Sequence, residues 1–159
     1  MLQYTTFDTP LWKIILVGTD QGITNLHMVT GTGKREFIID PAWTKNDVIF
    51  DKAKTQILEY CAGKRKDFTV NLTPHGTEFQ KDVWNALSDI PYGEVRSYKE
   101  IAIAVGNPNA SRAIGMANSK NPIPIIVPCH RVIGSNGKLI GFAHGLDAKM
   151  KLLNLEKAI

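Results

Sequence analysis

The chain has 159 residues, 43% hydrophobic and 21% charged, an ordinary globular composition with material for one good core or two small ones, which excludes a disordered chain. No run of about 18 apolar residues occurs, and the N-terminal MLQYTTFDTPLWKII carries an acid and a proline where a signal peptide needs an unbroken apolar stretch. A cytoplasmic protein with no membrane partner is expected. The net charge of +4, about +1 over residues 1–74 and about +3 over the rest, permits a nucleic-acid partner without requiring one.

The two cysteines, Cys61 and Cys129, form no C-x-x-C pair and have no histidine cluster at metal spacing nearby. A disulfide framework and a structural zinc are therefore not expected, and Cys61 reads as a buried filler.

QYTTFDT, LWKIILVGT and ITNLHMV are three strand-like runs separated by turn signals, predicting an antiparallel meander. Over residues 46–60 the apolar positions Val48, Ile49, Ala53, Ile57 and Tyr60 follow a helical period, and Gly63 closes the segment. A strand over residues 68–72 is expected next, then a domain boundary near residue 74, dividing the chain into 1–74 and 75–159.

Thr77 and Gln80 form a capping box opening a helix with Phe79, Val83, Trp84 and Leu87 on one face. Ser97 and Glu100 form a second box for a short helix through Val105. After a turn at residues 106–108, Asn109 is expected to cap a third helix ending near Asn118. Two short helices across a tight turn outline a helix-turn-helix, although two packing helices of any α-rich domain would have the same spacing. The start of the third helix, Ala110-Ser111-Arg112-Ala113-Ile114-Gly115, sets one long cation among small side chains. That composition lets a backbone approach a nucleic-acid groove while the arginine reaches inside. Gly115 costs a helix about 1 kcal/mol relative to alanine, which close approach to a ligand would offset.

NPIPIIVPCHRVI, residues 121–133, carries the chemistry. Its prolines are expected to hold it extended, with Cys129 at the end of a rigid strand. A free thiol has a pKa near 8.5 and needs a base or a cation beside it to become a nucleophile; His130 and Arg131 offer one of each. Adjacent residues of a strand face opposite ways, so His130 is expected to reach the sulfur through a water. A histidine in this role needs an acceptor for its other ring nitrogen, and spacing leaves Asp147 and Glu156 both open. In the last helix, Leu146, Met150 and Leu153 are expected to face inward.

PCHRVIG preceded by NPIPIIV, with GEVRSYKEIA and GNPNASRAIGMA upstream, resembles the O6-alkylguanine-DNA alkyltransferase family, also called methylated-DNA-protein-cysteine methyltransferases. The resemblance is close over about residues 76–157 and looser before them. It implies an α/β N-terminal ribonuclease-H-like domain and an α-rich C-terminal winged helix-turn-helix domain carrying the reactive cysteine. It also implies a cofactor-free, single-turnover transfer of the alkyl group from O6-alkylguanine in double-stranded DNA to Cys129, by a protein expected to be a monomer. Carried over by motif, His130 is the base, Glu156 the acid that orients it, and Asn121 the residue that holds the segment. Tyr98 would contact the guanine and its phosphate, and Arg112 would fill the space of the flipped nucleotide, flanked by Ala110 and Ser111. Pro124, Phe142 and Ala143 would line the base pocket. Many relatives have tyrosine and serine at the last two positions. His144, where several relatives have a small residue, is expected at the pocket mouth, where it would favour methyl over benzyl groups.

Three readings compete with this one. A damage sensor without transfer would share the fold, but its relatives carry tryptophan in place of the cysteine. A regulatory helix-turn-helix protein would prefer one DNA sequence. A cysteine hydrolase would need an oxyanion-forming glycine motif that does not surround Cys129.

Overall fold

The computed structural model describes residues 1–33 and 35–159. The predicted meander forms: β1 (Gln3–Asp8) pairs antiparallel with β2 (Lys13–Thr19), and β2 with β3 (Gly22–Val29). A short β4 (Thr44–Lys45) adds parallel to β1, so the sheet order is β3-β2-β1-β4. Central β2 is buried on both faces: Ile14 and Leu16 join the core cluster, while Ile15 and Val17 are buried on the opposite face of the pleat.

The helix expected over residues 46–60 forms only in part. Asn46 donates its backbone N–H to Tyr4 O (2.9 Å) and accepts that of Val48 on its side chain (3.1 Å), tying the start to the sheet. A 3-10 turn (Val48–Phe50) follows, and α1 proper is Asp51–Cys61, burying Ala53, Ile57 and Tyr60. Gly63, at φ 75°, ends it in a Schellman arrangement: the Lys64 N–H reaches Glu59 O at 2.8 Å.

The strand expected over 68–72 is replaced by one parallel bridge, Ile23↔Leu72. The Thr69 N–H, which a ladder would use, donates instead to the Gln56 side chain on α1 (2.9 Å). Edge strand β3 spends its outer groups on neighbouring loops: the Ile23 N–H donates to Asn71 O, and the Leu26 N–H to Pro122 O at 2.8 Å. The second of these bonds fastens the proline-rich segment to the sheet.

Both capping boxes form as read, opening α2 (Glu78–Ser88) and α3 (Tyr98–Ala104). Val83, Trp84 and Leu87 are buried on α2, and the Trp84 indole donates to Ala117 O (3.0 Å), locking α2 to α4 (Ser111–Ser119). Asn109 is not the cap of α4. The turn wraps one residue further, with the Ala110 N–H donating to Asn107 O, so Ala110 takes the cap position and supplies no side-chain bond. Helices α3 and α4 form the helix-turn-helix, and β5 (Arg96–Ser97) pairs parallel with β6 (Val132–Ile133).

The last helix, α5 (Leu146–Leu155), turns only part of the expected face inward: Leu153 is buried as expected, together with Ala148, Lys149 and Leu152, while Leu146 and Met150 are 48% and 40% exposed. One core runs through the whole molecule, from Ile14 and Leu26 through Ile57 and Tyr60 to Leu87, Ile114, Val132 and Leu152.

Candidate active site

The proline-rich segment is a nest of turns, not an extended strand, because prolines lack the N–H a ladder needs. The Val127 N–H donates to Ile123 O (2.9 Å), the Cys129 N–H to Val127 O (2.8 Å) and the Arg131 N–H to Pro128 O (3.0 Å). Pro128, at φ −81° and ψ 64°, is the centre of an inverse γ-turn. Asn121 braces the nest from within, donating through Nδ2 to Val127 O (2.8 Å) and accepting from the Ile123 N–H (3.0 Å). Ile125 sits at φ 73°, costly for a β-branched residue by about 1–3 kcal/mol, and its near-complete burial holds it there.

Cys129, His130 and Arg131 therefore occupy a buried 3-10 turn, and strand alternation does not govern where their side chains point. His130 Nε2 lies 2.7 Å from Glu156 Oε2, while its Nδ1 is buried with no hydrogen-bond partner among the described residues. Glu156, the C-cap of α5, also accepts from Arg131 Nε (2.8 Å), Arg131 Nη2 (3.0 Å) and the Tyr60 hydroxyl. Asp147, the other acid left open by spacing, is exposed and lines the outer cleft.

Charge follows this geometry. Burial alone would raise the Glu156 carboxyl, but the hydrogen bonds from His130, Arg131 and Tyr60 outweigh it and hold the group at about 2, so it is ionised. Burial lowers His130, with the Glu156 bond and charge opposing, so its imidazole rests neutral. Burial pushes the Cys129 thiol up; Asn121, Arg35 and Lys149 favour the thiolate but do not overcome it. The site thus rests as thiol and neutral imidazole, with a carboxylate behind.

Cys129 lines a small cavity of about 10 Å³ together with Pro124, Phe142, Ala143 and His144. Phe142 and Ala143 also line an open cleft of about 830 Å³, together with Tyr98 and the α4 residues Gly115, Asn118 and Ser119, the last two shared with the small cavity. Arg112 is exposed one turn before Gly115, on the same face of α4. A helix-turn-helix thus faces a cleft that leads to a buried cysteine.

Residues 2–74 match the ribonuclease-like domain of 6-O-methylguanine DNA methyltransferase, and residues 78–158 match the DNA binding domain of the same protein. The chain belongs to the 6-O-methylguanine DNA methyltransferase family. It is 52% identical over 155 residues to the methylated-DNA–protein-cysteine methyltransferase of Methanosarcina acetivorans, covering 98% of each chain. It is similar to the crystal structure of Mycobacterium tuberculosis OGT in complex with DNA, with a TM-score of 0.89 and 47% identity over 98% of this chain and 93% of that one. The crystal structure of the Mycobacterium tuberculosis O6-methylguanine methyltransferase superposes with a TM-score of 0.87 at 46% identity, covering 99% of this chain and 94% of that one.

Set in this family, the expected site residues fall into three groups. Cys129, His130, Glu156 and Asn121 meet in one buried constellation, with Pro124, Phe142 and Ala143 around the sulfur. Tyr98 stands on the outer cleft, its hydroxyl donating to Ile140 O (3.1 Å). Arg112, Ala110 and Ser111 lie at the start of α4 and line neither cavity.

Two expectations are overturned. Arg131 is not the cation beside the thiol: its guanidinium turns to Glu156 and to Ile90 O (2.7 Å). His144 is not exposed at the mouth but buried, its Nε2 3.2 Å from His27 Nδ1, and from there it lines the small cavity together with Cys129.

Among the described residues, the cations that favour the Cys129 thiolate are two that sequence reading passed over. Arg35, from the N-terminal half, donates to Asn121 O (2.6 Å) and to Ser119 O, and lines both cavities. Lys149 is fully buried, its Nζ donating to Val132 O (2.6 Å) and Ile140 O (3.1 Å). A lysine on the apolar side of the α5 pattern was the available signal for the second; nothing local marked Arg35.

Proposed function

We propose that the protein repairs alkylated DNA by moving the methyl or other alkyl group from O6 of a guanine, flipped out of duplex DNA, to Cys129 Sγ. The observation that carries this reading is the buried Cys129, His130 and Glu156 constellation at the inner end of a cleft walled by α4. Extrusion is required because O6 lies within the base stack, where neighbouring pairs block in-line attack on the alkyl carbon. Arg112 enters the stack in place of the nucleotide, and the α4 N-terminus, whose first-turn N–H groups have no side-chain cap, receives a backbone phosphate between Ala110 and Ser111. These contacts offset a flipping cost of about a few kcal/mol.

The thiol proton passes through a bridging water to His130 Nδ1, and Glu156 stabilises the imidazolium that results. Sulfur then forms the new S–C bond as the C–O6 bond breaks, leaving its electron pair on guanine. The purine recovers a proton, and hydrogen bonding from Tyr98 eases its developing charge. The thioether product has no easy route back, so each copy acts once. Double-stranded DNA bearing O6-alkylguanine is the partner, and the protein works as a cytoplasmic monomer divided between residues 74 and 75. No helix among the described residues is long and apolar enough to cross a membrane.

Incubation with duplex carrying one O6-methylguanine, followed by intact-protein mass spectrometry, tests the proposal. One methyl should appear on Cys129 and be absent in Cys129→Ala. A regulatory or damage-sensing protein would bind the DNA and gain no mass, and a catalyst would restore more lesions than there are protein molecules.

A further inference from the structure

Tyr60 lies in the last turn of α1, in the N-terminal half, yet its hydroxyl ends on the carboxylate that holds His130. The side chain is fully buried, its ring 5.5 Å from that of Phe68 and edge-on to Tyr92 at 6.2 Å. Burial raises its hydroxyl far above the ordinary range, so it remains protonated and can only donate to an ionised acid. The acceptor is Glu156 Oε2, the same oxygen that His130 Nε2 approaches at 2.7 Å and Arg131 Nη2 at 3.0 Å. A carboxylate oxygen offers about two lone-pair sites. Three donors on one oxygen share its charge, and what Tyr60 draws is withheld from the imidazole.

We infer that Tyr60 is a positioning residue of the alkyl-transfer site: its bond to Glu156 Oε2 fixes the carboxylate against His130 and limits how strongly that carboxylate draws a proton onto the imidazole. This rests on the proposed relay through His130. The groups facing His130 make the share matter. Arg131 and Cys129 come from its own turn, Lys149 and Glu156 from α5, Tyr60 from α1, and Tyr92, under the Arg131 guanidinium, from the loop after α2. Glu156 is the anion of this set and two of the others are cations, so a small change in the charge it presents falls directly on His130. The ribonuclease-like half thereby takes part in the chemistry of the DNA-binding half.

Tyr60→Phe keeps the ring and removes only the hydroxyl. Two measurements are made: the pH dependence of methyl transfer at saturating methylated duplex, and the titration of the His130 imidazole in the DNA-free protein by nitrogen NMR. With Tyr60 removed, protonation of His130 should set in at higher pH, moving both acid midpoints up by roughly half a pH unit or more. In a Glu156→Gln background the same substitution should leave both where they are. A purely structural tyrosine would lower the denaturation midpoint and move neither pH midpoint, and that result overturns the inference. If Tyr60→Phe does not fold, a ring-fluorinated tyrosine at position 60, a stronger donor, should move both midpoints down, and unmoved midpoints again overturn it. Loss of the transfer reading shows separately, as wild-type protein that gains no methyl, and the NMR titration still decides the role of Tyr60.

Discussion

His144 Nε2 lies 3.2 Å from His27 Nδ1, joining the segment beside the reactive cysteine to strand β3 of the sheet. Both imidazoles are held below their ordinary value, His27 by burial and Arg35, His144 by burial, Arg35 and His27, the latter to about 3. The unfolded chain takes up these protons near pH 6.5, and the folded chain does so only well below. Stability is therefore full above about pH 6.5 and falls as the pH drops toward 3, by up to about 1.4 kcal/mol per pH unit for each proton. Urea denaturation at about pH 7.5 and about pH 5 checks this, and His144→Asn should flatten the difference.

Glu156→Gln leaves the buried Arg131 guanidinium without its anion, and breaking such a pair costs about 3–5 kcal/mol. The methyl-transfer rate should also fall by about 10²-fold or more, as for loss of a general base. Single-turnover kinetics beside chemical denaturation separates the two effects. Wild-type kinetics in this variant would remove Glu156 from the relay.

Lys149 is the buried base of the α5 packing face, lowered by burial to about 8. Between about pH 8 and its unfolded value near 10.4, the unfolded chain binds one proton more than the folded one. The Lys149 contribution to stability should therefore rise with pH through that window, against the opposite contributions of the buried Cys61 and Cys129 thiols and, near pH 10, of the tyrosines. Lys149→Met should therefore make stability fall more steeply with pH than in the wild type, in equilibrium unfolding measured from about pH 7.5 to about pH 9.5.

Gly33 and Gly145 fasten the N-terminal loop to the reactive half. A Cβ on Gly145 would lie 2.5 Å from Thr32 Oγ1, and one on Gly33 would lie 2.4 Å from Ala143 O, both at positive φ. Gly145→Ala and Gly33→Ala should each cost more than about 2 kcal/mol. Gly137→Ala, at φ 80° with nothing nearby, should cost only the left-handed strain of about 1 kcal/mol. Equal thermal shifts for the three would contradict the packing.

Arg112 is exposed and lines neither cavity, so Arg112→Ala should slow repair of methylated duplex by about 10²-fold, the worth of a lost stack-filling contact of a few kcal/mol. Its rate with free O6-methylguanine base should match that of the wild type. Equal losses on both substrates would place Arg112 in the chemistry instead.

Much of this molecule was legible along the chain. The meander of β1 to β3, the two capping boxes and the helix-turn-helix depend on residues within a few positions of one another, and their signals are local in the same way. The motif around Cys129 carried the family because the cysteine, the histidine and the bracing asparagine lie within ten residues.

What lay beyond reach was decided over long separations. The Tyr60 bond to Glu156 spans 96 positions, and the Arg35 bond to Asn121 spans 86. Periodicity tells which face of α1 is buried but not that Tyr60 ends on a carboxylate, and no local pattern sends Arg35 to the reactive cysteine. The inward face of α5 is legible only at Leu153, because Lys149 reads as polar until three carbonyls close around it. The sequence by itself determined the elements, the nucleophile and its family. The charge around that nucleophile was settled only when folding brought distant donors to one buried carboxylate, since hydrogen bonds and desolvation act through space and not along the chain.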